Sequence, residues 1–258
     1  MTTPRTPGKS GKGKGRSART TGRNITTRVR TAKGRKSSST RWLKRQLNDP
    51  YVEEARKLGF RSRAAFKIIE LDDRFHFFKP GQRVIDLGAA PGGWAQVAVE
   101  RVNALGTGKG RTGKIVGIDL QEMEAIAGTT LLTHDFMEND APGLLKEALG
   151  GPADIVMSDM AAAATGHTAT DHMRIMALLE VALDFARDVL APDGVFLCKV
   201  LKGGTENELL ANMKRDFRTV RHAKPPASRQ DSSESYVIAQ GYRGTSGSSP
   251  NTEGDETE

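Results

Sequence analysis

Cysteine is nearly absent from this sequence of 258 residues, in which only Cys198 occurs. A single cysteine excludes an intrachain disulfide and a zinc site built from several cysteines, so nothing indicates an oxidising compartment. Apolar runs of about 18 residues are also missing, which excludes a membrane-spanning helix and leads us to expect a cytoplasmic protein. The basic N-terminus lacks an apolar stretch behind it and therefore does not fit a secretory signal peptide.

Acidic side chains are missing from residues 1–40, which hold 12 Lys and Arg, whereas residues 244–258 hold 4 Asp and Glu and no base. The chain between them carries 27 bases and 27 acids, so the net charge of +8 belongs to the termini. Residues 1–40 have too little apolar surface to offset the entropy cost of ordering. We expect a disordered basic arm at 1–40, a folded domain at 41–242 and a disordered acidic tail at 243–258. The arm either binds nucleic acid phosphates or only aids solubility.

Short β-rich runs alternate with helical segments along the middle of the chain. Strands are predicted at 83–87, 114–120, 130–136, 153–157, 195–200, 219–222 and 236–240. Helices are predicted at 41–58 with an interruption at Pro50, and at 64–73, 93–104, 144–149, 171–190 with Asp171 as its cap, and 206–217. This alternation is typical of βαβ units and predicts an α/β fold, with a mainly parallel sheet covered on both faces. Such sheets bind ligands at the carboxyl ends of their strands.

The most informative segment is the strand and glycine-rich turn VIDLGAAPGGW, which runs from Val84 to Trp94. Glycine allows a ligand to approach the backbone closely. The spacing differs from Gly-x-Gly-x-x-Gly, and no Gly-Lys-Ser/Thr follows, so the dinucleotide fingerprint and the phosphate-binding loop are both absent. The absence of that fingerprint argues against a nicotinamide-dependent oxidoreductase. Asp86, an acid before a turn without a phosphate cradle, suits a ligand that carries an amino group and a ribose.

Charged residues follow or interrupt several of the other predicted strands. Asp119 can accept hydrogen bonds from both hydroxyls of a ribose, although an acid at this place is often only a helix cap. Asp135 can accept a hydrogen bond from an adenine amino group. Lys199 interrupts an apolar strand, where an unpaired lysine is costly, unless it is an edge lysine whose ammonium reaches water. His167 and His172 have no third ligand in the sequence, so we expect no metal site.

Taken together, these segments resemble the FtsJ family of ribosomal RNA 2′-O-ribose methyltransferases. The matching segments are SRAAFK at 62–67, the turn at 86–94, MSDM at 157–160, CKV at 198–200, and residues 224–229 with 234–236. The similarity extends over roughly 41–242. It implies a Rossmann-like class I methyltransferase fold with a seven-stranded sheet and S-adenosyl-L-methionine as the cofactor.

The resemblance also assigns functions to individual residues. The catalytic tetrad of the family falls on Lys67, Asp159, Lys199 and Glu234. We expect Lys199 to be the general base, Lys67 to tune it and bind RNA, Asp159 to orient it, and Glu234 to orient the ribose or a lysine. The cofactor contacts of the family fall on Gly92, Trp94, Asp119, Asp135 and Asp159.

The substrate implied by the resemblance is a uridine ribose in large-subunit ribosomal RNA. The expected partners are therefore ribosomal RNA and the large ribosomal subunit, with no membrane, no metal and a monomeric protein. Two alternatives remain open, which are a 2′-O-methyltransferase of another RNA and a non-catalytic RNA-binding protein of ribosome assembly. The second alternative predicts a damaged tetrad, and the tetrad is intact. Ala162-Ala163 and Ser233 depart from the Pro-Asn and Arg that are usual in the family at these places.

Overall fold

The computed structural model describes residues 37–162, 165–201 and 207–244. The chain divides into two compact units, Met1–Asn48 and Asp49–Glu258. In the first unit, helix α1 spans Ser37–Leu47 and so begins inside the segment 1–40 that was expected to be disordered. The rest of the predicted arm and nearly all of the predicted acidic tail lie outside the described residues. Along the described stretches, no helix is both long and apolar enough to cross a membrane.

The second unit alternates helices and strands as the sequence predicts. Its elements are α2 (Pro50–Lys57), α3 (Ala64–Phe75), β1 (Arg83–Leu87), α4 (Gly93–Arg101), β2 (Lys114–Asp119), β3 (Thr129–Thr133), α5 (Ala141–Leu149), β4 (Ala153–Ser158), α6 (Thr168–Val189), β5 (Leu190–Leu201), α7 (Asn207–Asp216), β6 (Phe217–Ala223) and β7 (Glu234–Tyr242). The predicted interruption at Pro50 is confirmed. Asp49 caps α2 by accepting a hydrogen bond from the Tyr51 amide at 3.1 Å, and Pro50 occupies the first helical turn, where its missing N–H costs nothing.

The strands form one sheet of seven in the order β3-β2-β1-β4-β5-β7-β6. Strands β1 to β5 pair in parallel, and β7 runs antiparallel to both of its neighbours, β5 and β6. This arrangement confirms the predicted α/β fold with a mainly parallel sheet. The strand order reverses beside β1 and β4, which is the point where open parallel sheets bind ligands.

Both faces of the sheet are covered, which explains why its central strands are apolar along their length. On one face, Ile85 and Leu87 pack in a core with residues of α5, α6 and α7. On the other face, Val84 and Met157 pack in a core with residues of α3 and α4. Because successive side chains of a strand point to opposite faces, β1 has to be apolar at almost every position. Asp86 is therefore an exception among the buried residues 84–87 of this strand.

The prediction that Asp171 caps α6 is wrong, because the helix begins three residues earlier, at Thr168. The Asp171 carboxylate instead accepts hydrogen bonds from the Thr165 amide at 2.7 Å and the Gly166 amide at 3.2 Å, in the segment that precedes the helix. Several strand boundaries also differ from the prediction, and the largest differences are in β3 and β5. Strand β3 ends at Thr133, so Asp135 lies beyond it, and β5 begins at Leu190 and includes the predicted turn at 192–194 as an irregularity in its pairing with β4.

Candidate active site

A cavity of about 860 Å³ lies at the carboxyl ends of β1, β2, β3 and β4. Three carboxylates line it, those of Asp119, Asp135 and Asp159. Apolar side chains form most of the remaining wall, with Arg174 of α6 and His134 as its other ionisable groups. The cavity is thus placed where the strand order reverses, and the strand-end acids of three different strands meet in it. Parallel strands bring their carboxyl ends to one edge of the sheet, which is why residues far apart in sequence are neighbours here.

Gly88 allows the ends of β1 and β4 to approach each other beneath this cavity. Its φ angle is +76°, and a Cβ atom at this position would lie 2.8 Å from the Met160 Cγ atom. A larger residue would therefore be strained and would also push β4 away. Two residues further on, the Ala90 amide donates a hydrogen bond to Asp119 Oδ2 at 2.9 Å, which ties the glycine-rich turn to the end of β2.

Backbone amides hold two predicted cofactor-binding carboxylates in place, one at the end of β2 and one just after β3. Asp119 Oδ1 also accepts a hydrogen bond from the Gln121 amide at 2.8 Å, and Asp135 Oδ1 accepts one from the Met137 amide at 2.9 Å. A carboxylate has about four lone-pair sites, so each of these groups keeps acceptor capacity for a ligand.

The four residues of the predicted tetrad come together as two ion pairs. Lys67 Nζ of α3 lies 2.8 Å from Glu234 Oε1 of β7, and Lys199 Nζ of β5 lies 3.1 Å from Asp159 Oδ1, just after β4. The Lys199 ammonium also donates to the Asp159 carbonyl oxygen. Both lysine side chains are only 11% exposed, and each of these mostly buried charges is paired with a carboxylate, as burial of a charge requires. A small part of each lysine side chain remains accessible. Asp159 belongs to an ion pair and also lines the cavity.

The family model of FtsJ-like methyltransferases matches residues 60–242, a range that contains the cavity and all four of these residues. The chain belongs to the FtsJ-like methyltransferase family. Two similar proteins are both named ribosomal RNA large subunit methyltransferase E. The one from Paramagnetospirillum magneticum is 61% identical over 241 residues, covering 91% of this chain and 98% of its own. The one from Rhodospirillum rubrum is 62% identical over 231 residues, and the match covers 90% of this chain and 87% of the relative.

Among solved structures, a protein described as a ribosomal RNA methyltransferase from Plasmodium falciparum superposes with a TM-score of 0.63. It is 28% identical, and the match covers 72% of this chain and all of that one. Together with the family match, this likeness confirms the predicted Rossmann-like fold and the resemblance on which the predicted enzyme class rests.

A tyrosine that the sequence analysis did not select joins the two ion pairs of this FtsJ-like site. The Tyr236 hydroxyl lies 3.1 Å from Asp159 Oδ1 and 3.1 Å from Glu234 Oε1. Its ring lies under the Lys67 ammonium, with 5.7 Å between Nζ and the ring centroid. The signal that would have found it is its position two residues after Glu234, since alternate residues of a strand share a face.

The charges of this cluster act on one another. Burial alone would raise the pKa of Glu234, but the charge of Lys67, the hydrogen bonds from Lys67 and Ser228, and the charge of Lys199 lower it below the ordinary value of a glutamate. Burial raises the pKa of Tyr236 well above that of a free tyrosine, and the negative charges of Asp159 and Glu234 add to the effect. The Tyr236 phenol is therefore neutral and able to donate a hydrogen bond to a carboxylate.

Gly92 and Trp94 pack against other parts of the protein behind the cavity. A Cβ atom on Gly92, whose φ angle is +107°, would lie 2.6 Å from Ile126 Cδ1. Trp94 is 3% exposed, and its indole N–H donates to the Ala64 carbonyl at 2.9 Å. Neither residue lines the cavity in the described chain. Their contact with a cofactor stays a prediction, and both residues hold the turn that does line it.

Asp86 is buried without a partner. It is 1% exposed, and among the described residues neither carboxyl oxygen has a hydrogen-bond partner. Burial raises its pKa well above that of an ordinary aspartate, and the negative charges of Asp159 and Asp119 raise it further. An isolated buried carboxylate is so unfavourable that the group takes up a proton instead. Both effects favour the protonated, neutral form of Asp86 beneath the glycine-rich turn.

The described residues include no group of three or more His, Cys, Asp and Glu that could hold a metal ion.

Proposed function

We propose that this protein transfers a methyl group from S-adenosyl-L-methionine to the 2′-hydroxyl of a uridine ribose in large-subunit ribosomal RNA. The observation that carries the proposal is the position of Asp159, which lines the cavity and also holds the Lys199 ammonium. A cofactor in the cavity and a hydroxyl beside Lys199 would thus meet at one residue. The names of the relatives support ribosomal RNA of the large subunit as the substrate.

The residues of the cavity fit S-adenosyl-L-methionine. The cofactor has a ribose with two hydroxyls, an adenine amino group and a positively charged sulfonium, and three carboxylates line the cavity. Asp119 would accept hydrogen bonds from the ribose hydroxyls and Asp135 from the adenine amino group. When bound, the cofactor supplies a methyl group that is activated for transfer by its attachment to sulfur.

Lys199 is the proposed general base. A ribose hydroxyl is a weak nucleophile, and its proton has to be removed as the new bond to carbon forms. An amine accepts that proton only in its uncharged form, and Asp159, in contact with Lys199 Nζ, would orient it toward the hydroxyl. The hydroxyl of Tyr236 lies between the carboxylates of the two ion pairs and joins them.

Lys67 and Glu234 would position the ribose next to the base. Their ion pair is fixed by Ser228, whose hydroxyl donates to Glu234 Oε1 at 2.8 Å. Holding two reactants in line can supply a large part of an enzymatic acceleration. A ribosomal substrate would place the protein in the cytoplasm, and a monomer would suffice because all four groups belong to one chain.

Replacing the proposed base tests the mechanism. Lys199→Arg keeps a positive charge, but a guanidinium does not release its proton in a protein and therefore cannot accept one from the hydroxyl. We expect single-turnover methyl transfer to fall by about 10²–10⁴-fold, with cofactor affinity nearly unchanged. The matched control is Lys57→Arg, at a lysine of α2 that is 61% exposed and paired with Glu53. Near-normal activity of Lys199→Arg would leave Lys199 as an electrostatic contact only.

Mapping of 2′-O-methylation in cells with and without the protein tests the substrate. Loss of one uridine methylation in large-subunit ribosomal RNA is the expected result. Loss of a methylation in a different RNA would favour the alternative substrate class. An unchanged methylation pattern together with a defect in subunit assembly would favour a non-catalytic RNA-binding protein.

A further inference from the structure

Arg61 joins two segments of the chain that line the cavity, although its own side chain does not line it. Its Nη1 atom donates to the Glu124 carbonyl oxygen at 2.8 Å, and its Nη2 atom donates to the Ala125 carbonyl oxygen at 2.9 Å. Both carbonyls belong to the segment 120–128 between β2 and β3, which begins with the cavity residues Leu120 and Gln121. Nη1 also lies 3.5 Å from the carbonyl oxygen of Pro91 in the glycine-rich turn.

Gly92 explains why the guanidinium can reach both segments. A Cβ atom at Gly92 would lie 3.2 Å from Arg61 Cδ, 3.3 Å from Arg61 Nη1 and 2.6 Å from Ile126 Cδ1. The side chains of Arg61 and Ile126 thus pack against the turn at a point where any other residue would displace them. The missing side chain of Gly92 makes room for this contact.

The main chain of Arg61 is anchored as well. Its amide donates to Gln96 Oε1 of α4 at 2.8 Å, and Gln96 Nε2 donates to the Gly59 carbonyl oxygen at 3.1 Å. The arginine is therefore fixed to α4 at its base and to the segment 120–128 at its tip. Only 22% of its side chain is exposed.

We propose that Arg61 is a positioning residue for the cofactor, because it holds the segment 120–128 against the glycine-rich turn and so fixes where Leu120 and Gln121 of that segment line the cavity. The inference rests on the proposed function, since it takes S-adenosyl-L-methionine as the ligand of this cavity. Two parallel N–H donors on a planar group suit two adjacent carbonyl oxygens, and a lysine ammonium cannot reproduce that fork. Without these two hydrogen bonds, the segment 120–128 of the free protein would sample other positions, and cofactor binding would have to select the one that lines the cavity.

Replacing Arg61 by Gln or Ala tests this inference by calorimetry with S-adenosyl-L-methionine and by initial rates. The expected result for both variants is a cofactor affinity weakened by about tenfold or more, because each lost hydrogen bond from a charged donor has roughly that effect. KM for the cofactor should rise while kcat at saturating cofactor stays close to normal. Arg61→Lys should fall between the wild type and Arg61→Ala.

Hydrogen exchange of the free protein gives a measurement that does not depend on activity. Amides of 120–128 should exchange faster in Arg61→Gln, and amides of β4 should not. Arg187→Ala is the matched control, because Arg187 is 23% exposed and pairs with Asp216 and Asp184 far along α6 from the cavity. It should lower the melting temperature and leave cofactor affinity unchanged.

The outcomes separate the inference from the proposed function. If the wild type does not bind S-adenosyl-L-methionine, the proposed function fails. If the wild type binds it and Arg61→Gln binds equally well with unchanged exchange at 120–128, the inference about Arg61 is overturned. If Arg61→Ala does not fold, the cofactor affinities of Arg61→Gln and Arg61→Lys test the inference instead. A variant that binds the cofactor normally but binds RNA weakly would also overturn it, since Arg61 would then act on the substrate.

Discussion

Replacement of the buried acid Asp86 by Asn should change how the stability of the protein depends on pH. Asp86 is fully enclosed, without a hydrogen-bond partner among the described residues, and burial followed by the charges of Asp159 and Asp119 raises its pKa. In the unfolded chain the same group has a pKa of about 3.9. Between these two values the folded protein holds one proton more than the unfolded chain. Stability therefore falls as pH rises through this interval.

The size of the effect follows from proton linkage. Because the folded state holds one additional proton, its free energy of unfolding falls by about 1.4 kcal/mol for each unit by which the pH rises. Asp86→Asn removes this titration, so the variant should gain about 1.4 kcal/mol per unit relative to the wild type from pH 5 upward, until the folded-state pKa is passed. Asn leaves its own amide unpaired at a pH-independent cost of about 1–3 kcal/mol. The slope of the difference, and not its offset, is the informative quantity.

Denaturant unfolding of both proteins without cofactor, at half-unit steps of pH, measures this slope. Asp73→Asn, which replaces a 60% exposed carboxyl that is paired with Arg101, controls for the loss of one negative charge. A difference between Asp86→Asn and the wild type that does not rise as pH increases above the pKa of the unfolded chain would refute the reasoning. It would mean that the Asp86 carboxyl is ionised and that an additional partner, such as an ordered water, stabilises it.

Three further predictions concern the site and the termini. Tyr236→Phe keeps the ring but removes the hydroxyl between Asp159 and Glu234, so methyl transfer should slow by about tenfold with little loss of melting temperature, as stopped assays and thermal unfolding would show. Asp119→Ala should weaken cofactor binding in calorimetry without unfolding the domain, and unchanged affinity would contradict its predicted contact with the ribose. Deletion of residues 1–36 removes 12 basic residues, so RNA binding should weaken and lose part of its salt dependence, whereas an unchanged salt slope would show that the arm does not contact phosphate.

The sequence was sufficient for the fold because each central strand is buried on both faces and each is followed by a turn or a helix. It was sufficient for the cavity because parallel strands bring Asp119, Asp135 and Asp159 to one edge of the sheet. These inferences depend on local patterns and on a general rule of parallel sheets. Residue spacing alone did not show which residues Lys67 and Lys199 contact. The resemblance to the FtsJ family supplied their grouping with Asp159 and Glu234.

Other features depend on contacts between distant segments and were missed. The linking role of Tyr236 requires β7 to lie beside β5, which places its hydroxyl next to Asp159. Arg61 binds carbonyl oxygens 63 and 64 residues away, and backbone acceptors leave no pattern in a sequence. Asp171 was wrongly predicted to cap α6. The helix begins before it, and its carboxylate accepts hydrogen bonds from amides of the preceding segment.

The antiparallel strand β7 sets an order in which the site can be assembled during synthesis of the chain. Among the described residues, those that line the cavity lie between Gly88 and Leu178, so the ribosome makes them before β5, β6 and β7. Glu234 is made 56 residues after Leu178 and Tyr236 follows it, on a strand that must enter the sheet between β5 and β6. Until that strand is in place, Lys67 lacks its carboxylate partner. The described cavity residues are therefore all synthesised before the proposed catalytic tetrad is complete, because the tetrad is completed only with one of the last strands to be translated.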